Sequence, residues 1–292
     1  MAKDRFLLNS REPIYKNAFL LCASISVLGV LLIFLFIFRE SLPAISHVGF
    51  SNLFLSAKWN PKAGNYGMLG FLLGTIVTTL GAMIIGAPLG IGTAIFIDQV
   101  APRKIGTYVR RGIELLAGIP SVVIGWFGFT LLIPVLRTIS GTAGFGTFAA
   151  SLVLVVMVLP TITTLSAETL RAIPRELKEA SAAMGATRWQ SIYKTILPAA
   201  RDGLLVAVIL GMGRAIGETM AVQMVIGNAT QFNWNPFKPS STLTSQMVTN
   251  MGEATGDFRS ALFSMALVLL ILAILLIVII RWVSRQRGMV TR

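Results

Sequence analysis

Long apolar runs alternate with short charged segments from one end of this chain to the other. Six runs reach the roughly 20 residues that a helix needs to cross a hydrocarbon core. They are Asn17–Phe38, Leu69–Ile97, Leu115–Leu136, Thr147–Leu170, Leu204–Gly227 and Ala261–Ile280. The second is long for one crossing, and Gly86-Ala87-Pro88 near its end predicts a kink, a tilt or an early exit. Pro160 predicts a kink in the fourth, where neighbouring helices can satisfy the freed carbonyl. The first run follows a basic stretch, Lys3 to Lys16, as the core of a signal peptide would. Its length, with no small-residue cleavage site after it, makes it a retained span. The pattern predicts an all-α integral membrane protein of about six transmembrane helices.

Composition agrees. Of 292 residues, 54% are hydrophobic and 13% charged, with a mean hydropathy of +0.76. A formal charge of +13 invites a nucleic-acid reading, but the charges sit between the apolar runs, as topology determinants do. Lys3, Arg5, Arg11, Lys16, Arg103, Lys104, Arg110, Arg111, Arg171, Arg175, Lys178, Arg188, Lys194, Arg201, Arg281, Arg285, Arg287 and Arg292 fall on one side. Only Arg39, Lys58, Lys62, Arg137, Lys238 and Arg259 fall on the other. An excess of 18 against 6 predicts that both termini are cytoplasmic. The chain then divides into a cytoplasmic segment 1–16, a first span with its outer loop 17–68, a core 69–280 and a cytoplasmic tail 281–292. Within the core lie a cytoplasmic loop, 171–201, and an outer loop, 228–257.

Loop 171–201 has a pattern of its own. Pro174 suits the start of a helix. Leu177, Ala180, Ser181 and Met184 then follow at i, i+3, i+4, i+7 and make one small apolar face. Gly185 marks a left-handed stop. Thr187 and Gln190 have capping-box spacing for a second helix. Its stripe is Trp189, Ile192, Tyr193 and Ile196, with Pro198 expected to end it. Two short amphipathic helices joined at a glycine should dock on another protein or lie on lipid. Before them, Asp98–Glu114 is expected to be a cytoplasmic turn with a short helix.

Candidate chemistry is sparse. Cys22 is the single cysteine and His47 the single histidine, so neither a disulfide nor a Cys/His metal site is expected. Gly141, Gly144 and Gly146 resemble a phosphate loop only in glycine content; the lysine and the preceding strand are lacking. No Walker sequence occurs, so any ATP used must be bound by another chain. Nothing assembles into a membrane-embedded enzyme. The functional-looking residues are Arg214 and Glu218, four apart in the fifth run and able to share a helix face. An arginine at mid-membrane costs at least about 2.5–3.5 kcal/mol. Either the two form a neutralised pair that fixes helix register, or Arg214 lies on the path of an anion, whose oxygens its planar fork suits. Gly211, Gly213 and Gly217 there allow close helix contact or an opened backbone.

Glu179-Ala180-Ser181, then Gly185, then Leu197-Pro198 resemble the EAA loop of ABC-importer permeases. Ser181 stands where alanine is usual and Thr195 where an aliphatic residue is usual. The resemblance implies a type I importer-permease fold. It also implies a coupling role toward ATPase subunits for Leu177, Glu179, Ala180, Met184, Gly185 and Trp189. More narrowly, Gly213-Arg214-Ala215-Ile216-Gly217-Glu218-Thr219-Met220-Ala221-Val222 and Met224-Val225-Ile226-Gly227-Asn228 resemble PstC-type permeases of bacterial phosphate importers. Asn235-Pro236-Phe237 and Thr242-Leu243-Thr244-Ser245 extend the likeness.

This resemblance implies a multi-pass protein of the bacterial inner membrane, working without catalysis of its own. Its expected partners are a PstA-type permease, two ATPase subunits that carry ATP and Mg, and a periplasmic or lipid-anchored phosphate-binding protein. Arg214 and Glu218 would line the pathway. Phe232, Trp234 and Phe237 would either dock the binding protein or form a lid, and the hydroxyls of Ser240, Ser241, Thr242 and Thr244 would either be offered to phosphate or, as is usual for such a loop, simply be solvated. Phosphonate, molybdate or sulfate remain alternative cargoes. A gradient-driven secondary transporter is the rival class, which leaves the EAA-like loop without a purpose and lacks a visible inverted repeat.

Overall fold

The computed structural model describes residues 2–285, with side chains described from residue 15 to residue 282. Lys3, Arg5, Arg11, Arg285, Arg287 and Arg292, used above for topology, lie outside the described side chains, as does most of segments 1–16 and 281–292.

A long first helix, α1 (Ala2–Val48), is followed by the short α2 (Phe50–Phe54). A two-stranded hairpin of β1 (Trp59–Asn60) and β2 (Asn65–Tyr66) comes next, with Trp59 opposite Tyr66. Helix α3 (Leu69–Ile95) then runs through Pro88 without a break. After a wide turn at Phe96–Val100 comes α4 (Arg103–Ala117), and beyond Pro120 the pair α5 (Ser121–Phe127) and α6 (Ile133–Ser140). Helix α7 (Thr147–Arg171) leads to α8 (Arg175–Ala183) and α9 (Arg188–Ser191). The chain ends with α10 (Leu197–Gly217), α11 (Met220–Ile226), α12 (Leu243–Asn250) and α13 (Gly256–Arg285). Among the described residues, six helical stretches are long and apolar enough to cross a membrane: Tyr15–Val48, Leu69–Val100, Ser121–Ser140, Thr147–Arg171, Arg188–Gly217 and Gly256–Trp282.

Three sequence expectations change. The third crossing begins at Ser121 rather than Leu115, because Pro120 lacks an N–H and holds an extended backbone that ends the α4 helix. Leu115 and Leu116 therefore belong to an amphipathic helix before the span. Pro198 does not end a helix. It sits in the first turn of α10, and the wide turn at Ile192–Ile196 carries the helix through, with the Leu197 N–H donating five residues back to the Ile192 carbonyl. The fifth crossing is not the continuous helix Leu204–Gly227: α10 runs from Leu197 and breaks after Gly217.

Helices α3 and α7 lie along each other as the spine of the bundle, and small residues set their separation. A Cβ on Gly90 would sit 2.7 Å from Ile162 Cγ2, and one on Gly211 of α10 would come 2.6 Å from Ile162 Cγ1. Ser151 Oγ of α7 donates to the Thr78 carbonyl of α3 at 3.1 Å. The central apolar cluster joins α3, α5 and α7 with α10 and α11. A second cluster joins α1, the hairpin, the start of α3, α12 and α13, and a third joins the ends of α3 and α7 to residues 192–204. The second and third clusters mark opposite ends of the bundle.

Candidate functional site: a docking face and a broken helix

At the end of the bundle built on the third cluster, Pro174 precedes α8 and Gly185 closes it with φ +77. That left-handed backbone favours glycine. The Gly185 N–H donates to the Ala182 carbonyl and the Ala186 N–H to the Ser181 carbonyl. The capping box forms as its spacing requires: the Thr187 N–H donates to Gln190 Oε1 at 2.9 Å, and the Gln190 N–H donates to Thr187 Oγ1 at 3.3 Å. Arg171 Nε donates to Asp98 Oδ1 at 2.9 Å, and Arg188 donates to the carbonyls of Gln99 and Val100. These contacts fasten the end of α7 and the start of α9 beside the turn that leads into α4.

The two predicted apolar stripes divide. Ser181, Ile192 and Ile196 face inward and are buried. Leu177, Met184, Trp189 and Tyr193 face out, with Met184 82% and Trp189 67% exposed, and Glu179 and Ala180 are exposed beside them. One set packs inward, and the other is left as an apolar face with no partner among the described residues.

At mid-depth the fifth crossing breaks. Glu218 is extended (φ −71, ψ 127), Thr219 follows, and α11 starts at Met220. Glu218 and Arg214 therefore do not share a helix face, and they form no ion pair among the described residues. Arg214 Nη1 donates instead to Thr161 Oγ1 of α7 at 3.1 Å. Glu218 Oε1 accepts from the Ala221 N–H at 3.3 Å, and the Glu218 carbonyl accepts from Thr244 Oγ1 at 3.2 Å. Thr161 lies about 21 Å along α7 from Thr147 and about 15 Å from Arg171, which puts the guanidinium deep within the span. Arg214 is nonetheless exposed in the single chain, as are Thr164 and Gly217. Non-helical backbone at that depth is tolerated only against protein or a wet cavity. The glycines split in role: Gly211 is a close contact with α7, whereas a Cβ on Gly217 would meet nothing within 4 Å.

Sequence reasoning missed the support of this break. Ser240, Ser241, Thr242, Thr244, Ser245 and Gln246 are buried, not solvated. The Ser240 N–H donates to the Ile226 carbonyl, the Leu243 N–H to Thr75 Oγ1 at 3.0 Å, and Thr242 with Ser245 makes a capping box for α12. The available signal was that capping spacing, which marks a helix start inside what read as a loop. Thr161 carried no signal at all.

In the outer loop the three aromatic candidates separate. Trp234 is 79% exposed, with Phe232 edge-on to it at 5.1 Å. Phe237 is half-buried, its ring 5.1 Å from that of Phe148, and its carbonyl accepts from Thr142 Oγ1 at 2.8 Å. It anchors the loop and offers little to a partner. Gly146 explains part of the glycine-rich turn: at φ +152 a Cβ there would lie 2.3 Å from the Pro236 carbonyl oxygen.

A helical bundle of six apolar crossings, one of them broken around an arginine at mid-depth, has the architecture of a membrane permease. The chain belongs to the family of binding-protein-dependent transport system inner membrane components, whose model matches residues 86–288. It is 43% identical over 274 residues to a probable ABC transporter permease protein, YqgH, of Bacillus subtilis (strain 168), covering 91% of this chain and 88% of that protein. It is 38% identical over 261 residues to the phosphate transport system permease protein PstC of Xylella fastidiosa (strain Temecula1 / ATCC 700964), covering 81% of each. Among solved structures it resembles the inward-facing MetNI methionine ABC transporter, with TM-score 0.55 and 27% identity over 75% of this chain and 95% of that one. A bacterial alginate ABC transporter in complex with a pentasaccharide-bound periplasmic protein shares the fold, with TM-score 0.64 and 14% identity over 94% of this chain and 97% of that one.

Proposed function

We propose that this chain is one of two permease subunits of an ABC importer that carries inorganic phosphate inward. The observation that carries the reading is Arg214: an exposed guanidinium deep in the bundle, without a carboxylate partner among the described residues, on a chain 38% identical to a PstC protein. An arginine so placed must meet a wet cavity or a partner chain, since lipid would oppose its charge. Its planar fork can donate two hydrogen bonds to a phosphate as the anion passes, and Thr161 holds it in register. Glu218 caps the broken helix beside that path. A PstA-type permease would supply the opposite wall.

In this reading the apolar face of Leu177, Met184 and Trp189 inserts into ATPase subunits, with Glu179, Ala180 and Gly185 shaping the insert. This face lies at the end bearing Arg103, Lys104, Arg110, Arg111, Arg175, Lys178, Arg188, Lys194 and Arg201, an excess of positive charge that supports reading it and both termini as cytoplasmic. ATP and Mg belong to the ATPase subunits, and this chain performs no covalent step. A phosphate-binding protein delivers the anion at the other face. ATP binding closes the ATPase dimer, the coupling helices pass the motion to α7 and α10, and hydrolysis restores the starting state.

Sulfate, molybdate and phosphonate would satisfy the same guanidinium; the PstC relatives favour phosphate. The test is ATP-dependent uptake by the reconstituted complex, with labelled phosphate against each competitor. Uptake suppressed by phosphate alone supports the reading. Equal suppression by sulfate or molybdate overturns the assignment of cargo.

A further inference from the structure

A second polar feature lies at the opposite end of the bundle from the coupling helices. The end of α1, α2, the hairpin and the first turn of α13 enclose a recess of about 530 Å³. Its polar lining includes His47, Asn52, Lys58, Asn65, Tyr66 and Asp257. The floor is rigid: the Trp59 ring lies 5.2 Å from that of Phe71 and 5.9 Å from that of Phe258, and Tyr66 stacks on Phe258. The single carboxylate in the recess, Asp257, is already engaged by His47 Nδ1 at 2.9 Å. Lys58 forms no ion pair among the described residues. What remains is the Lys58 ammonium with three N–H bonds, beside two carboxamides and a phenol that each donate or accept. Burial, and then the charge of Asp257, push the Tyr66 hydroxyl above its ordinary pKa.

We propose that this recess receives an acidic side chain of the solute-binding protein, whose carboxylate takes the Lys58 ammonium and the neighbouring donors. The inference rests on the reading that such a protein docks on this end of the bundle. A carboxylate is acceptor-only and complements the Lys58 ammonium. The exposed Trp234 lies at the same end of the bundle. Phe232, edge-on to Trp234, packs over Gly70, next in sequence to Phe71 under the hairpin. One partner face can therefore cover an apolar ring and the Lys58 ammonium together.

The experiment measures the dissociation constant of the phosphate-loaded binding protein on the complete importer in nanodiscs. Lys58→Glu is expected to weaken binding by about tenfold or more, as for a close charged pair across an interface. Lys58→Gln, which removes the charge without reversing it, should weaken binding less. Reversing the matching acidic residue of the binding protein to Lys should restore affinity to the Lys58→Glu importer alone. Unchanged affinity in both Lys58 variants overturns the inference. So does competition by millimolar free phosphate against the binding protein on wild type but not on Lys58→Gln, because the recess would then hold the free anion. Absence of any binding to the wild-type importer would instead bring down the reading that a binding protein docks at this end.

Discussion

Arg214 donates to Thr161, 3.1 Å away on the neighbouring crossing, and makes no ion pair with Glu218 four residues along its own chain. The difference comes from the break after Gly217, which turns Glu218 out of the helix and onto the first turn of α11. The two charges therefore answer to different neighbours. Replacing both with methionine does not relieve a shared cost. We expect Arg214→Met/Glu218→Met importers to stay without phosphate uptake in vesicles. Recovery relative to the single variants would show a mutually neutralising pair after all.

Gly185 sets the angle between α8 and α9 through its backbone rather than its surroundings, since a Cβ there would meet nothing within 4 Å. Strain at φ +77 should grade with side chain: Asn visits the left-handed region more readily than β-branched residues do. Gly185→Asn should keep most ATPase co-purification and Gly185→Val should lose most of it. The Val change costs on the order of 1–3 kcal/mol in local geometry. Equal retention in both would detach coupling from this turn.

Docking and packing residues of the same helix pair should separate by assay. Trp189→Ser changes an exposed ring and should leave the thermal stability of this chain nearly unaltered while abolishing ATPase binding. Ile192→Ala empties a buried site and should cost about 2–5 kcal/mol in stability. If Trp189→Ser lowers stability as much as Ile192→Ala, the outward face is structural.

Ser181 and Thr195 are the two positions that differ from the usual EAA-like pattern, and the structure places them together. Thr195 Oγ1 is 3.4 Å from Ser181 Oγ, with Ser181 only 3% exposed. The departures compensate each other. Ser181→Ala alone should destabilise by about 1 kcal/mol and Ser181→Ala/Thr195→Val by less than the sum of the singles. Strict additivity in a thermal-unfolding cycle would make the proximity incidental.

What the sequence made legible follows its physics. Apolar length located all six crossings, and capping chemistry located the α8–α9 pair down to the Thr187–Gln190 box. Proline alone misled twice. Pro120 ended a helix inside what looked like one apolar run, whereas Pro198 was absorbed by a wide turn that leaves no composition signature. The glycines of the fifth crossing left an opened backbone as one alternative, but Gly217, Glu218 and Thr219 are also permissible in a helix, so spacing did not decide for the break. The Glu218 carbonyl at the break accepts from Thr244, 26 residues downstream. The hydroxyl-rich segment read as solvated because serine and threonine usually are; here their donors and acceptors satisfy backbone carried into the bundle. Contacts between distant segments, such as Arg214 with Thr161, are invisible to spacing.

The most direct measurement is ATP-dependent uptake of labelled phosphate in vesicles that hold this chain, its partner permease, the ATPase subunits and the binding protein. Wild type is compared with Arg214→Gln at matched assembly. The account predicts that Arg214→Gln loses at least about 100-fold of the uptake rate, the scale of about 2.7 kcal/mol, while the complex still forms. Uptake at the wild-type rate would contradict an anion path past Arg214 and reduce the arginine to a tie between two helices.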